Sequence, residues 1–220
     1  MKQLLLDIKP AAAPSIENFI VGRNAEALAS LKQAIAGGQA KFIYLWGEKG
    51  SGKSHLITAL SNILSGVLSD ESICKPIPMR PTEACIFLDD VHLLDNEKQI
   101  ALFNQYNQLK EAGGLLICAG LHAPTQMGLR DDLATRLAWG LVYQLHPLND
   151  AEKTAALQNH AKERGMKLPD EVTDYCLRYL RRDLPTLMAT LDALDEWSLT
   201  EKKPITVPML KKLLQLDLEI

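Results

Sequence analysis

An α/β domain with a parallel sheet between helices, followed by a smaller all-α unit, is the fold class that this 220-residue sequence predicts. Three observations carry the prediction. Short, continuously apolar runs alternate with helical patterns as far as residue 147. A glycine-rich loop joins one of those runs directly to a helix. Beyond His146-Pro147 four helical patterns follow one another with no further strand. The expected organisation is a tail over residues 1–13, an α/β domain over 14–147 and a helical domain over 148–220.

Each element has its own signal. Over residues 24–36, Ala25, Leu28, Leu31 and Ile35 recur at helical spacing, and Gly37-Gly38 ends the pattern. Residues 41–46, KFIYLW, read as a buried strand, and HLITALSNIL over 55–64 reads as the helix after the loop. Apolar runs at 84–88, 115–119 and 140–145 supply three more strands, with residues 73–79 as a possible fifth and residues 97–112 as an intervening helix. Strands this apolar along their whole length need cover on both faces, hence a parallel sheet. Residues 150–164, 169–180, 183–197 and 207–214 read as the helices of the second unit. Pro10, three alanines and Pro14 break all periodicity near the start and read as a tether behind an apolar head.

Composition narrows the function. With 24 basic against 27 acidic side chains the net charge is -3, so the molecule as a whole exerts no strong pull on DNA or anionic lipid. The cysteines, Cys74, Cys85, Cys118 and Cys176, are dispersed with no C-x-x-C pair, which predicts reduced, buried thiols and neither a zinc site nor disulfides. No apolar run nears the roughly 18 residues of a membrane span. The first eight residues are broken by Asp7 and followed by Pro10, a poor signal peptide, so a cytoplasmic location is expected.

The chemistry begins at residues 47–54, G-E-K-G-S-G-K-S, a complete P-loop between a strand and a helix. Gly47, Gly50 and Gly52 let backbone N–H groups, with Ser51, close round phosphate oxygens at a helix N-terminus. Lys53 would reach the β- and γ-phosphates and Ser54 would ligate magnesium; the bland alternative is a glycine turn. Asp89 and Asp90 end the 84–88 strand, where Asp89 would orient magnesium and Asp90 polarise the attacking water. Otherwise the two acids cap the next helix. Arg136 ends a short helix before a strand, placed either to serve the nucleotide of a neighbouring subunit or to pair with Asp132. Arg182 precedes the N-cap residue Asp183 and either points at the nucleotide or joins Arg178 and Arg181 in a solvated basic face. The five histidines have no metal-ligand spacing, and Trp46, Trp139 and Trp197 are expected to pack.

Taken in order, I-E-N-F-I-V-G-R-N at 16–24, the P-loop with His-Leu at 47–56, F-L-D-D-V-H-L-L at 87–94, F-N-Q-Y-N-Q-L at 103–109 and D-L-A-T-R-L at 132–137 resemble the AAA+ ATPases, and within them the DnaA family. Two features resemble its shortened regulatory members. With Ile220 directly after the expected helical lid, no origin-binding helix-turn-helix is expected. Gln3-Leu4-Leu5-Leu6-Asp7-Ile8 resembles a sliding-clamp-binding peptide, with Gln3, Leu4, Leu6 and Ile8 as contacts; its alternative is a strand added to the sheet edge.

The resemblance implies ADP or ATP with Mg2+ as ligands and adds His55, Ile20 and Val21 to the nucleotide contacts. It assigns Arg136 as an arginine finger acting in trans on DnaA-bound ATP and Arg182 as the second sensor. It implies DnaA, the sliding clamp, DNA indirectly through the clamp, and a second copy of the chain as partners, with no membrane, in the nucleoid-associated cytoplasm. Two departures bear on its own turnover. Ala119-Gly120-Leu121-His122-Ala123 replaces the polar first-sensor segment, and Asp90 stands where vigorous AAA+ motors carry Glu. The 65–83 linker leaves no room for the helices with which initiators grip single-stranded DNA. The competing reading is an autonomous ATPase of the helicase-loader type, with Asp90 and Lys53 catalytic in cis.

Overall fold

The computed structural model describes residues 13–39, 41–65, 77–80 and 83–216. Gln3, Leu4, Leu6, Ile8 and Cys74 lie outside them, as does most of the 65–83 linker. The chain divides into two compact units at Pro147/Leu148.

In the first unit, helices α1 (Ala25–Ile35), α2 (Lys53–Ser65), α3 (Asn96–Ala112) and α4 (Asp131–Ala138) surround a sheet of β1 (Phe42–Trp46), β2 (Ile77–Arg80), β3 (Glu83–Leu88), β4 (Leu115–Gly120) and β5 (Leu141–Gln144). The strand order is β2-β3-β4-β1-β5. β1 lies parallel between β4 and β5, with Tyr44 opposite Cys118 and Val142, and β3 runs parallel to β4. The fifth strand departs from the expected all-parallel pairing: β2 is antiparallel to β3. Two residues separate them, enough for a hairpin, whereas a parallel crossover needs a dozen or more.

The period-2 alternation of the strands explains the layers. Ile43, Leu45, Leu115, Ile117 and Ala119 face one side, where Leu28 and Leu31 of α1 and Leu56 and Leu60 of α2 close the core. Tyr44, Ile86, Leu116 and Cys118 face the other, under Leu102 and Tyr106 of α3 and Leu133 and Leu137 of α4. All six residues of β4 are buried, which is why its run shows no polar alternation. A side chain such as Leu45, with no exposed surface, contributes about 1.5–3 kcal/mol. The ends of α3 are set by Asp95, whose side chain accepts from Lys98 N–H, and by Gly113 in the left-handed region.

The second unit packs α5 (Asp150–Glu163), α6 (Asp170–Tyr179), α7 (Leu184–Glu201) and α8 (Val207–Leu216) around Leu157, Val172, Cys176, Leu187, Leu191, Leu194 and Leu210. Asn149 and Glu152 form a reciprocal capping box at the start of α5. Asp183 caps α7 by accepting from Thr186 N–H at 3.0 Å, with Pro185 in the first turn. His160 and Arg164 of α5 meet Asp192 of α7, at 2.7 and 3.3 Å, and Arg164 also reaches the buried Asp195. Cys85, Cys118 and Cys176 are buried, and burial pushes the Cys176 thiol up to about 11. Among the described residues, no helix is long and apolar enough to cross a membrane.

Candidate functional site

β1 delivers the chain at Trp46 into the P-loop, and α2 starts at Lys53. The loop needs its glycines. Gly47 has φ +150°, and a Cβ there would run into the Leu145 carbonyl oxygen; Gly52 has φ +95°, and a Cβ would sit 2.7 Å from the Phe19 ring. Ser51 is buried and Gly50 lies at the open crest of the loop. The Lys53 ammonium donates to the carbonyls of Gly47 (2.7 Å) and Glu48 (3.0 Å) and lies 3.4 Å from Ser51 Oγ. Burial lowers its pKa, and the charges of Asp89 and Asp90 oppose that shift. Lys53 and the two acids at the end of β3 thus belong to one electrostatic centre. Ser54, in the first turn of α2, is exposed.

Over the loop lies the segment from residue 14 to 24. Phe19 is buried on Gly52 and faces the His55 ring at 5.6 Å, while His55 Nε2 meets the Ser15 carbonyl at 2.9 Å. Ile20 and Val21 follow, half-buried. The segment is anchored by Asn24, whose side-chain amide donates to the His146 carbonyl (2.9 Å) and whose oxygen accepts from His146 N–H (2.8 Å). Phe19 and Asn24 are the positioning residues that reasoning from sequence missed. Asn24 is the N-cap residue of α1 by position, but its side chain makes no cap bond to that helix.

Asp89 accepts from Asp90 N–H at 2.8 Å, and Asp90 holds the left-handed conformation, φ 48°, as its carbonyl opens the 3-10 turn Val91–Leu93. Asp90 makes no side-chain cap, and Asp95 fills that role for α3, so the helix-capping reading of the pair is not what the geometry shows. Asp89 is half-buried and Asp90 exposed. After β4, Leu121 and His122 are exposed, and the Tyr44 hydroxyl fixes this turn by donating to the His122 carbonyl at 3.1 Å.

Arg136 stands in the last turn of α4. The alternative pairing with Asp132 is replaced: Asp132 binds Arg130, with Nη2 to Oδ2 at 2.9 Å. The Arg136 guanidinium instead lies over the Trp139 ring, 4.3 Å from its centroid, with Phe103 at 5.8 Å. Trp139 is 60% exposed, a correction to its expected packing role. In the helical unit Arg182 is 61% exposed and meets Asp150 at 3.6 Å, while Arg181 pairs with Asp183.

A P-loop between strand and helix, two acids at the end of the parallel strand next but one, and a following helical unit make up a fold of the AAA+ type. Residues 150–214 match the family model described as Hda, lid domain. The chain is similar to domain III of the replication initiation protein DnaA from Thermotoga maritima, at 22% identity and TM-score 0.70, covering 93% of this chain and 96% of that one. It is similar to AMPPCP-bound DnaA from Aquifex aeolicus, at 23% identity and TM-score 0.68, covering 85% and 66% respectively. It is also similar to a single-substitution mutant of RuvB from Thermotoga maritima, at 16% identity and TM-score 0.62, covering 92% and 72%. These structures share the fold, and the lid-domain match falls on the second unit. The chain thus has an AAA+-type fold, like that of the DnaA and RuvB structures, and its second unit matches the Hda lid-domain model.

Proposed function

We propose that this chain is a nucleotide-bound adaptor that docks on the DNA-loaded sliding clamp and stimulates hydrolysis of ATP held by DnaA, so preventing re-initiation. The observation that carries the reading is Arg136: a half-exposed guanidinium in the last turn of α4 that makes no salt bridge among the described residues. An arginine offered to another subunit's γ-phosphate contributes roughly 10³ to 10⁵ in rate.

The P-loop suits ADP or ATP: Lys53 and the loop amides would hold the phosphates, Ser54 and Asp89 would hold Mg2+, and Ile20 and Val21 would contact the base. AMPPCP in the DnaA relative supports that use. Arg182 serves as second sensor, and Gln3, Leu4, Leu6 and Ile8 form the clamp peptide. Self-association and a nucleoid-associated cytoplasmic location belong to the same reading. Weak turnover of its own nucleotide follows from Ala119-Gly120-Leu121-His122-Ala123, which stands in place of the polar first-sensor segment. The electrostatic coupling of Asp89 and Asp90 to Lys53 favours the second reading, an autonomous ATPase acting with single-stranded DNA.

The test is hydrolysis of labelled ATP preloaded on DnaA, with clamp on DNA. Acceleration by wild type that is lost in Gln3→Ala and in Arg136→Ala supports the adaptor. An Arg136→Ala variant as active as wild type removes the finger, and turnover driven by single-stranded DNA without clamp moves the conclusion to the autonomous ATPase.

A further inference from the structure

We propose that Trp139 is a positioning residue for Arg136, an aromatic seat that holds the guanidinium pre-aimed at the surface of the first unit; this rests on the trans-acting role just proposed. The geometry supplies the argument. Arg136 and Trp139 are three residues apart at the end of α4, where Trp139 N–H donates to the Arg136 carbonyl at 3.2 Å, so both side chains leave the same turn. Stacking at 4.3 Å is well within cation–π range. Phe103 of α3 forms the side of the seat at 5.8 Å, and Tyr106 feels the Arg136 charge. Lys110, also on α3, brings a second cation to the indole at 5.3 Å.

A ring suits this task better than a carboxylate. An acid would neutralise the finger and compete with the phosphate it must meet, whereas an aromatic face restrains the long side chain and leaves its five N–H donors and full charge available. An unrestrained arginine carries roughly 2 kcal/mol of rotamer entropy, part of which must be lost in the transition state. A seated one has already lost it. The exposure of Trp139 then has a reason: an indole used only for core packing would be covered.

The test uses the full chain in the single-turnover assay on DnaA-bound ATP, with Trp139→Phe, Trp139→Leu and Arg136→Ala. Phe keeps the π face, whereas Leu keeps apolar bulk without it. Trp139→Leu is expected to lower the maximal rate constant by roughly 2- to 5-fold, the factor given by a cation–π contact at an exposed site. Half-saturation should change less, and Trp139→Phe should retain most of the wild-type rate. Independently, the Arg136 Nε–H resonance, assigned by its loss in Arg136→Ala, is expected to be ring-shifted in wild type and to move to the position of a free arginine in Trp139→Leu. Melting midpoints should stay close to wild type, because the site is exposed. An unshifted resonance in wild type, or a Trp139→Leu rate equal to wild type, overturns the seat. Absence of any stimulation by wild type overturns the adaptor reading instead, and the resonance still decides whether Trp139 holds Arg136.

Discussion

Replacing Asn24 with Ala removes both partners from the His146 backbone, leaving an N–H and a C=O without the bonds they make at 2.8 and 2.9 Å. Asn24 is 4% exposed, and the bonds themselves are part-buried. Two lost bonds with their stranded partners cost about 2–3 kcal/mol, the lower part of the range for fully buried groups. In a chain of this size that lowers the melting midpoint by roughly 4 to 12 °C. Asn24→Asp is the sharper variant: it keeps an acceptor for His146 N–H but sets a carboxylate oxygen against the His146 carbonyl, and should destabilise comparably. Both are read by thermal melting followed in the near-UV, and by ADP titration. Because Val21 accepts from Asn24 N–H at 2.9 Å, loosening this anchor also frees Ile20 and Val21, and ADP affinity should fall with stability. An Asn24→Ala protein that melts within about 1 °C of wild type would refute the reasoning.

Gly52→Ala forces a φ of +95° on a residue with a side chain and drives its Cβ into Phe19, so a loss of about 1–3 kcal/mol with weakened ADP binding is expected in a urea titration and in calorimetry. Asp183→Ala removes the α7 cap, with a loss of about 1 kcal/mol at neutral pH. Burial alone would raise the Asp183 carboxyl, but its hydrogen bonds to Thr186 and the charge of Arg181 outweigh burial and leave it below the usual 3.8. The folded pKa is therefore the lower one, so this stabilisation is fully present above pH 3.8 and is lost as pH falls through the folded value. Melting curves of wild type and variant should converge in acid; a constant gap down to about pH 3 would deny the charge its part.

Locally strong signals survived folding unchanged. The P-loop, the apolar strands and the helices of the second unit each carry their pattern within a few residues, and every parallel strand lies within a residue or two of its expected position. What the sequence hid depends on residues far apart along it. Nothing near Asn24 announces a partner 122 positions away, and Asp132 next to two candidate arginines does not say which it takes. Arg130 wins because both its Nε and Nη2 reach that carboxylate, which leaves Arg136 to the rings. The direction of β2 was hidden for a different reason: an apolar run fixes burial, but only the length of the following connection fixes orientation.

The hairpin edge has a consequence for how copies of this chain can associate. Parallel sheets end in a row of free amides and carbonyls that invites another strand, and here β3 would be that row if β2 did not cover it. β2 is itself a poor template: it is four residues long, its register shifts between Pro78 and Arg80, and Pro78 has no amide hydrogen to give. A further strand arriving from a second molecule would meet an interrupted ladder. Any pairing of two copies would thereby be turned away from continuing the sheet on that side and towards side-chain surfaces, and the same interruption works against fibre-like stacking along the β2 edge.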